Sequence, residues 1–392
     1  MTRSLMVVAV PPGRPCGILD YVRTLCGAWP GQSASVTGMP YCGRRTPRHR
    51  ILTLLQMRRQ VAAFARSLAA EVVHVQYADF GWNGVRVFED CYEVFSSKCL
   101  HPLVITIHEH PWFRNDHEMD RPRTVADHIF TILSGYRFVP RSLPLEIMKR
   151  HRGIHVHHNW QKEALLRNGV PAEQVRVIPL AVPCCMASEA EREAFRARFG
   201  VQGKRIIGVP GFVFERKRYD RLIDLIPSLP VDVVVCALGG ANGAVSERYL
   251  ETLRARATQL GVEERFVVTG YLTEQEMNAG LMSASAFAAP YGEVTSSASV
   301  ARCIAAGAPI VAARCATFSE LAEAGAGLIL ADPQNMSNFT QCLTDVLCNK
   351  QQEASLRRMN ASYAATWSFT AVARLMQAWH VTCQVQSQHH QQ

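Results

Sequence analysis

The sequence predicts an α/β protein built as two doubly wound, parallel-sheet domains that face each other across a deep cleft. Three observations carry this prediction. Short β-branched runs alternate with longer helical patterns, which is the grammar of βαβ units and of parallel sheets covered by helices. The alternation stops after PLAVPCC and starts again at KRIIGVPGFV. A chain of 392 residues also exceeds one ordinary core and fits two. A hinge near Pro183 then puts a cleft at the carboxyl ends of both sets of strands, where such sheets bind ligands.

Composition narrows the setting. Hydrophobic residues at 48% and charged residues at 19% describe a globular chain. No apolar run reaches the roughly 20 residues needed to span a bilayer. The opening MTRSLMVVAVPPGRP has too short an apolar core, and too early a Gly/Pro break, for a signal peptide, so the chain is expected in the cytoplasm. Thirteen cysteines without a C-x-x-C pair or zinc spacing read as free thiols of a reducing compartment. A net charge of +9 favours polyanions without choosing among nucleic acid, anionic lipid and phosphorylated substrates.

The first half opens with the strand SLMVVAVPP, residues 4–12. PPGRPCGILDYVRTL then turns through prolines and glycines into a helix, where Gly17 either brings backbone amides up to a phosphate or acceptor sugar or makes a bare turn. G-x-G-x-x-G is absent, and with it a nicotinamide fingerprint. Residues 41–70 carry seven arginines and no acid. Their helical pattern sets Ile51, Leu54, Leu55 and Val61 on one face and Arg59 and Arg66 on another. That helix suits an anionic membrane surface, with Arg58, Arg59 and Arg66 facing it, or simply packs on its own sheet. Without an aromatic platform or a helix-turn-helix pattern, nucleic acid is not expected as a partner. Strands follow at EVVHVQYA (71–78), PLVITIHEH (102–110), RGIHVHHN (152–159) and VRVIPLAV (175–182). His108 ends a near-continuous apolar strand and reads as a hydrogen-bonding active-site group, an inert strand end, or half of a metal pair with His110. In HVHH, Asn159 is the expected helix cap.

The second half repeats the pattern. KRIIGVPGFV, VDVVVCALGG, RFVVTGYL, SAFAAP, APIVAA and AGLILAD are strands, and helices are expected at 217–228, 246–260, 274–283, 297–306 and 317–324. In GVPGFVFERKRYDRLIDLI the cations Arg216, Lys217 and Arg218 precede a helix. They fit a diphosphate leaving group, or form a solvated basic turn. In PYGEVTSSASVARCIAAGAPIVA, Glu293 and the hydroxyls of Thr295, Ser296 and Ser297 lead into a helix of small residues. Such a start either cradles an anion or merely caps a closely packed helix. SFTAVARLMQAWH (368–380) is a last helix, expected to return to the first domain.

Taken in order, GILDYV, ITIHE, VRVIPLAVP, GFVFERKRYDRLI, RFVVTGYLTEQEMNAGLMSASAFAAPY, TSSASVARCIAAGAPIVAA and the late TWS resemble the retaining GT-B glycosyltransferases of family 4. The resemblance covers nearly the whole chain and is strongest over 150–330. It implies transfer of a sugar from a nucleotide-diphosphate donor, with retained anomeric configuration and with no metal or other cofactor. The second domain would bind the donor and the first the acceptor. By the same resemblance Lys217 steadies the diphosphate and the amides at Ser297, Ala298 and Ser299 hold it. His108 lies near the donor sugar, Gly17 faces the cleft, and Tyr271 and Leu272 border the base.

Two departures from the family pattern stand out. Phe212 occupies the place of an arginine, with Arg216 able to supply the charge from another angle. Arg302 occupies the place of the second of two glutamates, and Glu293 is one residue from the place of the first, held by Val294. An arginine cannot accept hydrogen bonds from ribose hydroxyls. The expected organisation is an acceptor domain over 1–183, a donor domain over 184–366, a returning helix over 367–383 and a disordered tail over 384–392. The expected function is hexose transfer from a GDP- or UDP-sugar to a glycan acceptor, lipid-linked, in bacterial exopolysaccharide or O-antigen synthesis. The alternative is a non-catalytic scaffold that partners a working transferase.

Overall fold

The computed structural model describes residues 3–9, 16–39, 51–78, 87–109, 113, 148–291 and 294–389. The chain divides into two compact units, one of Met1–Pro179 with Phe369–Gln392, the other of Leu180–Ser368. The first contains a parallel sheet in the order β2-β1-β3-β4-β5-β6. Its strands are β1 (Ser4–Ala9), β2 (Ala34–Met39), β3 (Val72–Ala78), β4 (Leu103–Glu109), β5 (Gly153–Val156) and β6 (Val175–Val177). Helices α1 (Gly17–Gly27), α2 (Ile51–Ser67), α3 (Val87–Lys98) and α4 (Asn159–Arg167) connect them. The edge strand β2, ASVTGM, has no β-branched run to announce it, and Ser35 and Gly38 are exposed.

Alternation along the central strands separates two faces. Val73, Val75, Tyr77, Ile105, Ile107, Ile154 and Val156 form an apolar core with Val61, Phe95 and Leu165 from the helices. The opposite face presents His74, Gln76, Thr106, His108 and His155, all buried. Register lines them up, with Gln76 paired to Thr106 and Thr106 to His155. The C-terminal helix Phe369–His389 belongs to this unit and covers that face with Trp379, His380 and Cys383. Gly153 is what lets it approach, since a Cβ there would lie 2.3 Å from Trp379 Cζ2.

The structure corrects two expectations here. The helix continues to His389, so residues 384–389 are not a disordered tail: no Gly or Pro stops it, and Gln384 bonds Glu71 Oε2 at 3.3 Å. Asn159 is the first helical residue of α4 rather than its cap. Gln161 Oε1 reaches back to the amides of His157 and His158 at 2.9 and 3.0 Å.

The second unit contains a parallel sheet in the order β12-β11-β10-β7-β8-β9. Its strands are β7 (Arg205–Pro210), β8 (Val233–Leu238), β9 (Phe266–Val268), β10 (Ala286–Ala289), β11 (Ile310–Ala313) and β12 (Leu328–Ala331). The helices are α5 (Glu189–Arg198), α6 (Tyr219–Leu225), α7 (Ala244–Gln259), α8 (Glu274–Ser283), α9 (Ala298–Ala306), α10 (Ala316–Glu323), α11 (Met336–Cys348) and α12 (Lys350–Thr366). Strand order reverses between β7 and β10, and the crevice beyond their carboxyl ends is where a doubly wound sheet takes a ligand.

The expected helix 217–228 resolves into a 3₁₀ turn Glu215–Lys217, then α6, then a second 3₁₀ turn Ile226–Ser228 that contains Pro227. The small residues of α9 have a packing reason, because this helix is wedged against α8, α12 and β7. α9 ends at Gly307, in the left-handed region at φ +81°. Asn360 of α12 then donates to Ala308 O at 3.0 Å.

Candidate functional site

The reversal point of the second sheet brings Lys217 and Ser299, two of the predicted donor residues, up to Gly211. β7 runs into Gly211 at φ +90°, a turn that glycine tolerates. A Cβ on Gly211 would lie 2.9 Å from Lys217 Nζ and 3.2 Å from Ser299 Oγ, so the amino group, the hydroxyl and the bare backbone border one space. Lys217 is only 6% exposed and its Nζ bonds the Pro210 carbonyl. Burial, and then the neighbouring Arg216, push its pKa down to about 7, while the Cys303 thiol acts in the opposite direction.

Ser297 caps α9, its Oγ accepting from Val300 N at 3.2 Å. The first helical amides, those of Ala298 and Ser299, have no preceding turn to bond and form the positive end of the helix dipole. Thr295 is buried and Ser296 half-buried beside this start. Tyr291 supports it, with its hydroxyl 3.5 Å from Ser297 Oγ. Glu293 lies outside the described residues.

Of the basic triplet, Arg218 is spent on structure. It sits at φ +54° and forms an ion pair with Asp220 at 2.9 Å. Arg216 is exposed, its guanidinium 5.9 Å from the Phe214 ring centre, and the rings of Phe212 and Phe214 lie 5.9 Å apart. Arg302 has a partner that the sequence did not disclose: it binds Glu274 of α8 through both nitrogens, at 2.9 and 3.0 Å. Tyr271 is 76% exposed, whereas the Leu272 side chain is buried in the core.

Glycines were the functional signal overlooked in the sequence. VPG, LGG and VTG end three successive strands. A Cβ on Gly239 would lie 2.6 Å from Gly211 O, and one on Gly240 3.0 Å from Gly270 Cα. The three loops thus meet backbone to backbone beside Lys217, an arrangement suited to close approach by a ligand.

In the first unit, Gly17 is exposed at the start of α1, with nothing within 4 Å of its Cβ position. One turn on, Tyr21 meets His108 edge-on, with ring centres 6.4 Å apart. His108 is buried, and burial followed by His155 push its pKa down to about 3. Both ring nitrogens are engaged, Nε2 with Gln76 Oε1 at 2.9 Å and Nδ1 with His157 Nε2 at 3.2 Å. A ligand at His108 must therefore displace one of these partners or meet the C–H edge of the ring.

His108 ends a longer buried chain whose tautomers follow from one carbonyl. Ile178 O can only accept, so His155 Nε2–H donates to it at 2.8 Å, and His155 Nδ1 takes the Thr106 hydroxyl proton at 2.8 Å. Thr106 then accepts from His74 Nε2–H at 2.7 Å, His74 Nδ1 from His380 Nε2–H at 3.0 Å, and His380 Nδ1 from Ser4 at 2.8 Å. Every histidine in this chain is neutral. Ile178 O, facing His157 Nδ1 at 3.3 Å, separates it from the His108 branch, because a carbonyl cannot pass a proton on. Among the described residues no group of three His, Cys, Asp or Glu side chains is placed to hold a metal. The cysteines of the described residues are free thiols, and Cys184 and Cys348 are exposed rather than buried. No described helix is long and apolar enough to cross a membrane.

Residues 204–349, all in the second unit, match the family model described as Glycosyl transferases group 1. Mannosylfructose-phosphate synthase of Agrobacterium fabrum is 26% identical over 202 residues, which cover 49% of this chain and 43% of that protein. The GDP-mannose-dependent α-(1-6)-phosphatidylinositol monomannoside mannosyltransferase of Mycolicibacterium smegmatis is 28% identical over 177 residues, 42% of this chain and 44% of that protein. The chain thus matches less than half the length of either relative. Among solved structures, Anabaena HepE in complex with UDP and glucose aligns with TM-score 0.71 and 14% identity over 97% of this chain and 100% of that one. Sucrose-phosphate synthase from Thermosynechococcus elongatus aligns with TM-score 0.70 and 14% identity, over 97% and 98%. The fold is that of the GT-B glycosyltransferases.

Proposed function

We propose that the chain is a retaining, metal-independent glycosyltransferase that moves a hexose from a GDP- or UDP-sugar to a glycan acceptor in bacterial polysaccharide synthesis. The observation that carries this reading is the buried Lys217 amino group set against the start of α9, with Gly211 leaving room between them. As the sugar C1–O bond breaks, the nucleoside diphosphate leaves with the electron pair and its charge grows. Lys217 and the Ala298 and Ser299 amides meet that charge in place of a metal. In this reading the acceptor oxygen bonds C1 from the same face and its proton passes to the leaving phosphate oxygen, so no separate protein base is required. The group 1 match falls on the unit that would bind the donor. HepE was solved with UDP and glucose, and the mycobacterial relative uses GDP-mannose by its name.

Thermal melts with UDP-, GDP- and dTDP-sugars are the first test. At least one is expected to raise the melting temperature, as any ligand specific for the native state does. The Arg302–Glu274 pair favours a second reading, a non-catalytic scaffold, because it ties up the position where a carboxylate was expected. No stabilisation by any donor would favour that scaffold.

The acceptor is proposed to be lipid-linked and met at the membrane surface. Arg59 and Arg66 of α2 are exposed, on a segment rich in arginine; the Arg58 side chain lies outside the described residues. Flotation with anionic vesicles at low salt should carry the protein upward, and charge reversal of Arg59 and Arg66 should lower the floated fraction. Protein left at the bottom of the gradient with native arginines would remove this part of the reading.

A further inference from the structure

We propose that donor binding is coupled to proton uptake at Lys217, whose buried amine gives up its proton readily in the protein alone and is held as an ammonium when a diphosphate arrives. The inference rests on the donor-site reading above, and its argument is geometric. Lys217 Nζ is almost wholly removed from water, and desolvating an ammonium costs several kcal/mol unless an opposite charge meets it. Among the described residues no carboxylate forms an ion pair with it.

Among the described residues, the groups around it add no negative charge; Glu293 lies outside them. Arg216 on its own turn repels a second cation. α9 presents its positive end and the Ser299 hydroxyl near Nζ. The Cys303 thiol of α9 and the Tyr291 phenol, after β10, are buried and pushed upward, the phenol to about 12, so both stay protonated. The Pro210 carbonyl accepts an N–H from an amine as readily as from an ammonium. Two phosphate charges placed against Nζ reverse this balance: solvent supplies a proton, the amine lone pair takes it, and the resulting ammonium pairs with the diphosphate.

A depressed pKa in the protein alone and a restored one in the complex fix the sign. Binding is strongest below about pH 7 and weakens by about tenfold per pH unit above it, until the pKa of the complex is passed. Calorimetric titration with UDP-glucose and GDP-mannose tests the coupling, since their diphosphates are diesters with no proton of their own to exchange near neutrality. In Hepes and in Tris, whose ionisation enthalpies differ, the heats should report uptake of about 0.9 proton at pH 8 and about 0.1 at pH 6. Lys217→Met should bind more weakly with no uptake, its melting curve showing that it is folded.

Binding with the same heat in both buffers would overturn the coupling and leave the donor site standing. Uptake that persists in Lys217→Met would also overturn it, placing the proton elsewhere. If neither sugar nucleotide binds, the donor-site reading fails and the inference with it.

Discussion

Acidification is expected to unfold the first unit between roughly pH 6 and pH 4, because five buried histidines are held neutral there. Burial pushes the pKa of His108 and His380 down to about 3 and that of His155 to about 4, and it pushes His74 and His157 well below the ordinary value. All five return to about 6.5 in the unfolded chain. A depressed histidine pKa means that the unfolded state binds more protons below pH 6.5, so stability is full above that value and falls as pH drops. Each histidine contributes about 1.4 kcal/mol per pH unit, and the five together about 7 at the steepest. A domain stability of about 5–15 kcal/mol is exhausted within two or so pH units.

Trp29 and Trp379 lie 5.2 and 5.7 Å from the His380 ring, so tryptophan fluorescence will follow the transition. Potentiometry across it should count close to five protons taken up, by the same linkage. Fluorescence unchanged down to pH 3.5 would contradict the neutral network. The tautomer chain sharpens the expectation, because a proton added at His74 Nδ1 turns an acceptor into a donor facing the His380 Nε2–H donor, whereas the Thr106 hydroxyl can rotate to accept from His155 Nδ1. Protonation of His74 therefore breaks the seam between the C-terminal helix and the sheet.

The same residues show where the sequence could be read and where it could not. Apolar runs located the starts of eleven strands within two residues, since a parallel sheet buried on both faces leaves a continuous β-branched signal, but several runs overshot the strand ends by three to five residues. VHVQ, ITIH and IHVH carried a second message: alternation of this kind ordinarily marks one wet face. Here that face is dry, covered by a helix some 300 residues away whose His380 completes the polar row. No local pattern announces such a partner. β2 went unassigned because in ASVTGM the single β-branched pair, Val36 and Thr37, is flanked by Ser35 and Gly38 and makes no apolar run.

At the candidate donor site, residue types left the basic turn and the capped helix start open, and only the family resemblance singled out Lys217, Ser297 and Ser299. Their surroundings depended on Gly211, Gly239 and Gly240, whose meaning lies in backbone approach rather than in side chains. Arg302 looked anomalous for a related reason, since Glu274 precedes it by 28 residues and meets it only through the packing of α8 on α9.

Replacing Lys217 by Met is expected to give a protein that melts higher and turns over far more slowly. Met keeps most of the volume that Lys217 fills and removes an amine whose burial opposes folding, so the melting temperature should rise at neutral pH. Catalysis moves the other way. With the donor bound, Lys217 is the ammonium beside the helix start, and loss of one such donor to a developing anion typically costs about 10²–10³ in kcat, or about 3–4 kcal/mol. Gly211→Ala should produce a similar loss by a different route: its methyl group would lie 2.9 Å from Nζ, in a backbone conformation at φ +90° that disfavours a side chain. This variant should melt lower, separating obstruction of the space from removal of the charge. Steady-state turnover with the donor identified by the melts, set beside the two melting temperatures, decides the matter. Turnover of Lys217→Met within a few-fold of the native rate would mean that the diphosphate is held elsewhere, whereas a stabilised and nearly inactive variant means that the fold carries a buried amine for the sake of the leaving group.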